Sequence, residues 1–467
     1  MIEGLRPYTE YRDSGLLWAD RLPTHWQIVR MKHVLRERSE KGHPNEPLLA
    51  ATQSKGVVRK EDYGNRTVLA QKDLHLLKLV RQRDFVISLR SFQGGIEYAR
   101  HQGIISPAYT VLHPVEPSMH GYLAWLFKSK PFIENLNLHV TGIRQGQNID
   151  YERLRRSYLP VPPWDEQAAI VRFLAHVDRK VRRYVAAKRK LIALLIEQKR
   201  AIIHQAVTRG LDPNVRLKPS GIDWLGDIPE HWNTKPIGLL CTYISYGFTN
   251  PMPTTDVGPY MLTANDIADG FVRFESARRT SQVAFDTSLT RKSRPEENDL
   301  LVTKDGTLGR IAIADGRPMC INQSVAMLRP RQAEITSPFF SILLRSPACQ
   351  EKMVFDAGGT TIKHIYITRL AKMRVAFPGV AEQREIAQSL KSEQARLDQA
   401  MAKTSLQIDR IQELRSQIIG DAVTGRMDVR AAAERLPDEL DDTTPDVAIE
   451  NPIWEDLSVD ATEEVEA

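Results

Sequence analysis

Two segments of the chain carry apolar side chains at alternating steps of four and three residues. The first pattern runs from position 170 to 202 with eight of ten positions apolar, and the second from 386 to 418 with seven of ten. A 3.5-residue period of this length predicts long helices with a coiled-coil seam, although each could instead pack on its own globular domain. The predicted seam comprises Ile170, Leu174, Val177, Val181, Leu191, Leu195, Ile202, Ile386, Leu390, Leu397, Ile411, Leu414 and Ile418.

Start and stop signals frame both predicted helices. Pro162, Pro163 and Pro378 stand just upstream, and Gly210 and Gly425 stand just past the ends. Proline suits the residues before a helix and glycine suits the left-handed residue that follows one. We therefore expect both helices to end near these glycines.

Short apolar runs alternate with Gly, Pro and Asn in the stretch of roughly 150 residues ahead of each helix, a pattern typical of strands and turns. The pattern predicts a mixed α+β globule before each helix. The predicted strands are 84–89 and 299–303, the glycine loops that follow them are 93–95 and 305–309, and the short helices are 122–127 and 338–344.

The chain repeats itself, which indicates two copies of one unit. Residues 14–26 return as 220–232, with six of thirteen positions identical, including both tryptophans. Residues 142–162 match 358–378 without a gap, at an offset of 216 residues. Forty residues separate Glu166 from Ala206, and forty separate Glu382 from Ala422, so the predicted helix acts as a ruler of constant length.

Charge is distributed unevenly along the chain. The net charge is +6, but residues 431–467 hold thirteen acidic residues and one basic residue, a net −12, which leaves +18 for residues 1–430. Such an excess favours a polyanionic partner, with a solvated charged surface as the alternative. The acidic stretch is poor in large apolar residues and predicts a disordered extension.

Length, apolar runs and cysteines limit the class of protein. A length of 467 residues favours two or more domains, and no apolar run approaches the ~18 residues of a membrane span. The N-terminus has no secretory pattern, so we expect a cytoplasmic protein without membrane contact. Cys241, Cys320 and Cys349 are far apart, which favours small core residues over disulfides or a zinc site.

Motifs for catalysis are absent from the sequence. It has no G-x-x-x-x-G-K-[ST] loop, no Asn-Pro-Pro-aromatic or Asp-Pro-Pro-aromatic run, no H-E-x-x-H and no G-x-S-x-G. His25 and His231 recur beside Trp26 and Trp232, a pairing that favours a packed, hydrogen-bonded corner over a metal ligand. We predict neither a catalytic site nor a metal site.

These motifs, taken in order, resemble the specificity (S) subunit of type I restriction-modification systems. The resemblance is carried by Glu166-Gln167, the helix end at 206–210, the tryptophan motif at 220–232 and the second helix from Glu382 to Gly425. It also includes residues 142–145, which run into Pro162-Pro163, and it covers residues 14–426. The tail after Arg430 does not map onto the family pattern.

The resemblance implies an α+β fold in which two pseudo-repeated globular target-recognition domains are separated by two long antiparallel coiled-coil helices. The expected parts are domain 1 at 1–160, spacer helix 1 at 161–210, domain 2 at 211–377, spacer helix 2 at 378–425 and an acidic, disordered tail at 426–467. Each domain would read one half of a bipartite asymmetric target in double-stranded DNA.

The resemblance also implies partner subunits. Two methyltransferase (M) subunits would dock on the helices and methylate adenine, and restriction/translocase (R) subunits would join for restriction. The chain itself would bind no cofactor, whereas S-adenosylmethionine, ATP and Mg²⁺ are expected on the partners. The chain would not be an enzyme by itself.

Polar residues in loops beside rigid strands are the candidates for reading bases, because Arg and Lys pair with guanine and Asn and Gln with adenine. They could equally be solvated loop residues. The candidates are Arg90, Ser91, Gln93, Arg144, Gln145, Gln147 and Asn148 in the first domain and Lys304, Thr307, Thr360, Thr361 and Lys363 in the second. Residues expected to touch phosphate or only water are Arg59, Lys60, Arg66, Arg278, Arg279 and Arg291.

Three other functions compete with this interpretation. A self-contained restriction or modification enzyme would need the missing catalytic motifs. A stand-alone sequence-specific DNA-binding regulator and a structural coiled-coil adaptor both remain compatible with the sequence.

Overall fold

A computed structural model describes residues 5–53, 55–63, 73–141, 148–358 and 363–437. The chain forms two compact units. The first unit contains residues 1–189 and 405–467, and the second contains residues 190–404. Strands and helices mix in both, so the predicted α+β class is confirmed.

The first unit is built on a four-stranded antiparallel sheet. Its strands stand in the order Leu35–Arg38, Thr110–Pro114, Phe85–Ile87 and Glu97–Tyr98. Phe85–Ile87 is buried along its whole length, as a continuous apolar run predicts. The carboxylate of Asp84, just before this strand, receives a hydrogen bond from Arg38 Nε at 2.8 Å.

Smaller elements surround this sheet. The paired strands are Tyr11–Asp13 with Arg21–Pro23, Gln27–Arg30 with Tyr158–Val161, Leu49–Thr52 with Gly56–Arg59, Lys78–Val80 with Gly103–Ile105, and Val140–Thr141 with Asn148–Ile149. The short helices are Met31–Val34, Ser91–Gly94, His120–Phe127, Lys130–Leu136, Tyr151–Leu154 and Arg430–Glu434. The 3₁₀ turns are Lys60–Tyr63, Leu74–Leu76, Pro117–Met119 and Asn137–His139.

The second unit has a four-stranded antiparallel sheet of matching order. Its strands are Cys241–Tyr246, Val325–Pro330, Leu300–Thr303 and Ile311–Ile313. An arginine again binds the aspartate just before the buried strand: Arg329 Nε donates to the Asp299 carboxylate at 2.8 Å. The strands predicted at 84–89 and 299–303 are both confirmed.

The second unit also contains a smaller mixed sheet. Its strands are Arg278–Arg279, Thr255–Leu262 and Met319–Ile321, and the last two run parallel. The other pairs are Leu217–Pro219 with Asp227–Pro229 and Asn233–Pro236 with Arg374–Phe377. The helices are Ile237–Leu240, Gln282–Ser288, Ser337–Leu344, Pro347–Phe355 and Ile367–Lys372, with 3₁₀ turns at Ala264–Asp266 and Arg291–Ser293.

Two long helices, Trp164–Arg209 and Val380–Val423, occupy the segments where the apolar period predicts them. We call them the first and second long helix. The predicted short helices at 122–127 and 338–344 are present as His120–Phe127 and Ser337–Leu344.

Burial along the long helices follows a period of 3.6 residues rather than 3.5. In the first long helix the stripe includes Ile170, Leu174, Val177, Val181, Val185, Ile192 and Ala206. In the second it includes Ile386, Leu390, Leu397, Thr404, Ile408, Ile419 and Ala422. A 3.5-residue pattern drifts about 20° per heptad from an ordinary helix, so positions several heptads along leave the stripe.

The predicted seam residues divide accordingly. Leu191 and Leu414, three and four heptads along, are 40% and 47% exposed, whereas Ile192 is buried. The half-buried seam residues are Leu195, Ile202, Ile411 and Ile418, and the remaining seam residues are buried.

Charged pairs join the two long helices within each unit. In the first unit Arg415 Nε donates to Asp178 Oδ1 at 2.5 Å. In the second unit Lys199 Nζ donates to Asp398 Oδ1 at 2.6 Å. Each of these pairs lies within a single unit.

The Glu-Gln motif lies in the first turn of each long helix, and its glutamine makes the same hydrogen bond in both, which explains why the motif recurs. Gln167 Nε2 donates to the Pro162 carbonyl at 2.9 Å, and Gln383 Nε2 donates to the Pro378 carbonyl at 2.9 Å. Each glutamine thus fixes the chain that enters the helix, while the preceding glutamate lies in the first turn, where a carboxylate is favourable.

In the first unit, Glu166 is the centre of a buried corner. Its carboxylate receives the Trp26 indole N–H at 2.8 Å and the Tyr8 hydroxyl, and it lies 2.8 Å from His25 Nε2. Burial and the neighbouring carboxylate raise the pKa of Tyr8. Gly425, at φ +69°, ends the second long helix against this corner, where an added Cβ would lie 3.4 Å from the Trp26 ring.

Glu382 forms the corresponding corner of the second unit. The indole N–H of Trp232 donates to it at 3.0 Å, and His231 Nε2 lies 2.8 Å away. Gly210, at φ +76°, ends the first long helix here, and an added Cβ would lie 3.6 Å from the Trp232 ring. Trp224 packs on the same core. The prediction that both His-Trp pairs form hydrogen-bonded corners is confirmed.

Residues 426–437 pack against the first unit, although the predicted tail begins at 426. Val429, Ala432 and Ala433 are buried because the helix Arg430–Glu434 turns its small apolar side chains inward. The backbone N–H of Asp428 donates to the Arg6 carbonyl at 2.8 Å. Both ends of the described chain therefore meet at the Glu166 corner.

Cys241, Cys320 and Cys349 are buried free thiols, as expected of core residues, and burial raises the pKa of each to about 12. Within the described ranges, the structure has no helix long and apolar enough to cross a membrane.

Candidate nucleic-acid interface

The first unit presents a polar loop where the buried strand Phe85–Ile87 ends. Arg90 and Gln93 are exposed there. Gln53, from the neighbouring hairpin, supports the loop: its side-chain amide donates to Gln93 Oε1 at 3.2 Å and to the Arg90 carbonyl at 3.3 Å. Sequence reasoning missed Gln53, because nothing in the local pattern links residue 53 to residue 93.

Ser91 differs from the other candidates of this loop. It is fully buried, and its hydroxyl accepts the Ser88 backbone N–H at 2.8 Å and lies 3.2 Å from the Ser88 hydroxyl. Ser91 therefore fixes the turn and offers no surface to a base.

A buried ion pair supports the loop from below. Lys128 Nζ lies 2.7 Å from both carboxylate oxygens of Glu97 and donates to the Gly94 carbonyl at 2.8 Å. Burial raises the pKa of Glu97 to about 7, against the opposing effect of Lys128. Gly95, at φ +84°, closes the turn where a Cβ would lie 2.2 Å from the Phe127 carbonyl oxygen, so only glycine fits.

The second predicted loop of the first unit lies beside the first loop. Helix Ser91–Gly94 contacts strand Asn148–Ile149, and Asn148 is exposed. The structure thus brings Arg90, Gln93 and Asn148 to one surface region. Arg144, Gln145 and Gln147 lie outside the described residues.

The second unit has a corresponding loop after Leu300–Thr303. Thr303 is buried, and its hydroxyl accepts the Arg310 backbone N–H at 2.9 Å. Gly306 and Gly309 have φ of +73° and +76°, which turns the chain back sharply. Thr307 is exposed at the tip of this loop.

An ion-pair cluster joins this loop to the second predicted loop of the same unit. Asp305 receives Lys304 Nζ at 2.8 Å and lies 2.5 Å from His364 Nδ1. Burial raises the pKa of Asp305, but hydrogen bonds from Lys304 and His364 more than offset it and hold the pKa below its ordinary value. Lys363 is exposed beside His364. Thr360 and Thr361 lie outside the described residues.

Tyr246 adds an aromatic surface that sequence reasoning missed. Lys292 Nζ lies 4.0 Å from the centre of its ring and Lys304 Nζ lies 5.7 Å from it, within the range of cation–π contact. A cleft of about 360 Å³, lined by Phe248, Asn250 and Lys292 among others, opens beside it. A lone tyrosine at a strand end gives no sequence signal for such a contact.

The residues considered for phosphate contact have varied surroundings. Arg279 stacks at 4.0 Å on the Tyr260 ring and donates to its hydroxyl at 2.6 Å, a structural role. Arg278 and Arg291 are exposed, and Arg59 pairs with Glu61 at 3.8 Å. Lys60 lies in the turn Lys60–Tyr63, and Arg66 lies outside the described residues.

No group of three or more His, Cys, Asp or Glu side chains among the described residues could hold a metal ion. The chemistry that this surface offers is hydrogen bonding and positive charge.

Comparison with known proteins gives one consistent resemblance. Residues 229–409 match the type I restriction modification DNA specificity domain. The chain is 26% identical over 311 residues to the type I restriction enzyme EcoBI specificity subunit of Escherichia coli, and the alignment covers 65% of each chain. It is 19% identical over 432 residues to the putative type I restriction enzyme MjaX specificity subunit of Methanocaldococcus jannaschii, covering 88% of this chain and 95% of that one. The chain is thus similar to specificity subunits of type I restriction enzymes.

The fold is also similar to a solved structure described as the structural basis of complex assembly and conformational transition of the type I R-M system. The TM-score is 0.63 at 18% identity, covering 86% of this chain and 98% of that chain. The resemblance carried by the sequence motifs is confirmed.

Proposed function

We propose that this chain is the non-catalytic DNA-specificity subunit of a type I restriction-modification complex, in which each unit reads one half of a bipartite asymmetric target. The two units are pseudo-repeats, each with a target-recognition domain and parts of both long helices. Residues 161–210 and 378–425 act as spacers between the two readers. The matching order of the two sheets supports the repeat.

One observation carries this proposal: in each unit, two polar loops meet at the end of the buried strand of a matching sheet. The first pair contains Arg90, Gln93 and Asn148, and the second contains Lys304, Thr307 and Lys363. Loops of this kind on a rigid scaffold are where recognition residues concentrate.

Different residues at matching places favour different half-sites. Arg pairs in bidentate fashion with guanine, and Gln or Asn pairs with adenine. Lys also contacts guanine, and the Thr methyl packs on the thymine methyl. The net charge of +18 on residues 1–430 supports a polyanionic partner of this kind.

The long helices are proposed to dock two methyltransferase subunits, and restriction/translocase subunits join for cleavage. The partners would bind S-adenosylmethionine, ATP and Mg²⁺, and this chain would bind no cofactor. The end of the second long helix at Gly425 lies against Pro23 and Trp26 of the first unit. That contact supports an effectively circular arrangement of the repeats.

The decisive experiment mixes the purified chain with S-adenosylmethionine and DNA, with and without a methyltransferase partner. We expect adenine methylation only when both proteins are present. Single-molecule sequencing of the methylated DNA then gives both half-sites. Specific DNA binding that never leads to methylation with any partner would favour a stand-alone regulator, and a chain that binds no DNA would favour a structural adaptor.

Loop variants assign the half-sites. We expect Arg90→Ala with Gln93→Ala to relax recognition at one half-site, at about 1–3 kcal/mol for each bidentate pair with a base that is removed, and to leave the other half-site intact. Lys304→Ala with Lys363→Ala should do the reverse. Lys130→Ala, at an exposed position of the first unit, is the matched control. Simultaneous loss of both half-sites in either loop variant would contradict the assignment.

The spacer role has its own test. One heptad adds about 10.5 Å to a helix, which is the rise of about three base pairs. We expect a heptad inserted between Glu166 and Ala206 to lengthen the non-specific spacer or to abolish binding. An unchanged spacer with full affinity would show that the helix does not set it.

A further inference from the structure

The first long helix carries a row of basic side chains within the first unit. Arg172, Arg179 and Arg183 follow one another at steps of seven and four, which places them on one line of the helix. Lys180 flanks the line, and both Lys180 and Arg183 are exposed. We call these four residues the basic row. It lies opposite the buried stripe that contains Ile170, Leu174 and Val181.

Basic residues strongly outnumber acidic ones in this part of the helix. Residues 172–189 contain seven basic residues and one acidic residue, Asp178. The Asp178 carboxylate is occupied by Arg415 and by Arg182, whose Nε donates at 2.8 Å. Burial lowers the pKa of His176, and the nearby Lys180 and Arg179 lower it further.

The matching stretch of the second long helix has no such excess. Residues 388–405, at the repeat offset of 216, contain three basic and two acidic residues, a net +1 against +6. The length and burial pattern of the helix are kept between the repeats, but the charge is not. The packing of the helices therefore does not require the basic row.

The acidic tail begins at this row. The helix Arg430–Glu434 is anchored by Val429, Ala432 and Ala433, and the side chain of Arg172 donates a hydrogen bond to the Leu436 carbonyl. The chain thus leaves the described structure at residue 437, directly over the first member of the row.

Charge and reach of the remaining chain fit the row. Residues 438–467 contain twelve acidic residues and no basic residue. Thirty residues are long enough to reach along the row, since even a random coil of that length would span roughly 30 Å (root mean square) and the helix from residue 172 to 189 is roughly 26 Å long. Tethering at one end of the row gives the tail a local concentration in the millimolar range.

We propose that the acidic tail, residues 438–467, docks on the basic row and competes with nucleic acid for it. The tail neutralises a surface that would otherwise hold any duplex through its phosphates, whatever its sequence. Non-specific binding is suppressed in this way, while the loops at the strand ends stay available.

Zero-length carbodiimide cross-linking, which joins lysine amines to carboxylates, tests the docking on the full chain alone. We expect cross-links from Lys180 to tail carboxylates at low salt, with a yield independent of protein concentration. They should disappear at 1 M salt, where charges are screened beyond ~3 Å. Exposed Lys391, in the matching stretch of the second long helix, is the internal control and should give at least tenfold fewer.

A binding assay tests the competition. In a full-length variant, all twelve tail acids are replaced by Asn or Gln, and binding to a random-sequence duplex is followed by fluorescence anisotropy. We expect about tenfold tighter binding at 50 mM salt, with a log–log salt slope steeper by about 1.8 if Lys180 and Arg183 each take up a phosphate. Adding Lys180→Gln with Arg183→Gln should cancel most of this gain, whereas adding Lys391→Gln with Arg396→Gln should not.

Three results would overturn the proposal. They are an absence of cross-links from Lys180, an unchanged affinity after the tail is neutralised, and a gain in affinity that survives Lys180→Gln with Arg183→Gln. Cross-links that form only after a partner protein is added would likewise overturn it. The DNA assay rests on the proposed function only for the choice of nucleic acid, and it needs no target sequence. A result that overturns tail docking is therefore distinguishable from a result in which the chain fails to direct methylation.

Discussion

The two tryptophan corners use the same residues but bury them to different degrees. The Glu166 side chain is 2% exposed and the Glu382 side chain is 30% exposed. At Glu166 the Tyr8 hydroxyl donates a third hydrogen bond, and the guanidinium of Arg430 lies 5.3 Å from the Tyr8 ring. At Glu382 the structure records bonds from His231 and Trp232 only, within the described ranges.

The two corners differ in burial because the chain is continuous at one and has its two ends at the other. In the second unit, the long helix passes through Gly210 directly into the motif at 220–232. In the first unit, that connection is made by two separate ends, residues 5–11 and 424–437, which meet at the backbone bond between Arg6 and Asp428. In the first unit, buried hydrogen bonds at the Glu166 corner connect the two chain ends. In the second unit, the continuous backbone makes the corresponding connection.

A second contrast lies below the recognition loops. Glu97 pairs with Val86 in the first sheet, and Ala312 pairs with Leu301 at the matching place in the second. Lys128 follows helix His120–Phe127, as Arg345 follows helix Ser337–Leu344. The first unit thus buries a carboxylate where the second buries an alanine, so the fold does not require the charge of Glu97.

The largest expected effect comes from breaking that ion pair. Glu97→Ala leaves the Lys128 ammonium buried without its partner, which typically costs about 3–5 kcal/mol. Adding Lys128→Met removes the stranded ammonium and should restore stability to within about 1 kcal/mol of the natural chain. Urea unfolding measures both, with exposed Glu134→Ala as the control. A double variant as unstable as the single one would show that the charges are needed for packing.

The second largest effect is a difference in stability lost when the central glutamate of each corner is removed. Glu166→Ala strands the buried donors of Tyr8 and Trp26, and we expect a loss of about 3 kcal/mol. Glu382→Ala, at a more open corner, should cost about 1 kcal/mol. Tryptophan fluorescence during denaturation reports on each corner through Trp26 and Trp232. Equal losses would mean that the chain ends add nothing to the first corner.

The third largest effect on stability is expected at the two glycines that end the long helices. An alanine at φ near +70° is strained by about 1–2 kcal/mol. At Gly425 a Cβ would also lie 2.4 Å from Pro23 Cδ, whereas at Gly210 the nearest atom is Glu382 Oε1 at 3.1 Å. We expect Gly425→Ala to lower the free energy of unfolding by about 2 kcal/mol and Gly210→Ala by about 1 kcal/mol. Thermal denaturation of the two variants compares them, and the reverse order would contradict the packing at Pro23.

The smallest effect concerns how the recognition loops are held. Hydroxyl groups of Ser88 and Ser91 fix the first loop, whereas Asp305 fixes the second. Because the pKa of Asp305 is depressed in the folded chain, its contribution is present above its ordinary pKa and is lost as the pH falls through the depressed value. We expect acid to weaken the second loop by about 0.5 kcal/mol.

Amide hydrogen exchange, corrected for its intrinsic pH dependence, measures this loosening. Exchange at residues 307–309 should rise between pH 6 and pH 3, and exchange at residues 91–94 should not. Asp305→Asn should remove the pH response. A response that persists in that variant would assign it to another group.

Much of the fold could be predicted from the sequence. The long helices, the buried strands at residues 85 and 300 and the His-Trp corners all rest on short-range patterns of apolar and cap-forming residues. The seam was less predictable, because a 3.5-residue pattern and the 3.6-residue helix diverge over several heptads. Leu191 consequently lies exposed while Ile192 is buried.

The candidate site was predictable only in part. Arg90, Gln93 and Thr307 are exposed and Lys304 is half-buried, and all four lie in loops that glycines and strand ends predict. Ser91 was misjudged, because a serine that fixes a turn and a serine that faces a base have the same local sequence. Tyr246 and Gln53 were missed, because their contacts join residues 37 or more positions apart.

The sequence by itself determined the resemblance to type I specificity subunits, the internal sequence repeat, the helix ends and the charge contrast between body and tail, since each depends on residue type and spacing. Only the tertiary structure decided which of the two similar tryptophan motifs is buried and which is more open, and which loops share a surface. Local patterns fix the state of a segment through short-range hydrogen bonds and burial. The partners of Glu166, Glu97 and Arg172 lie up to 264 positions away, and only the folded chain brings them together.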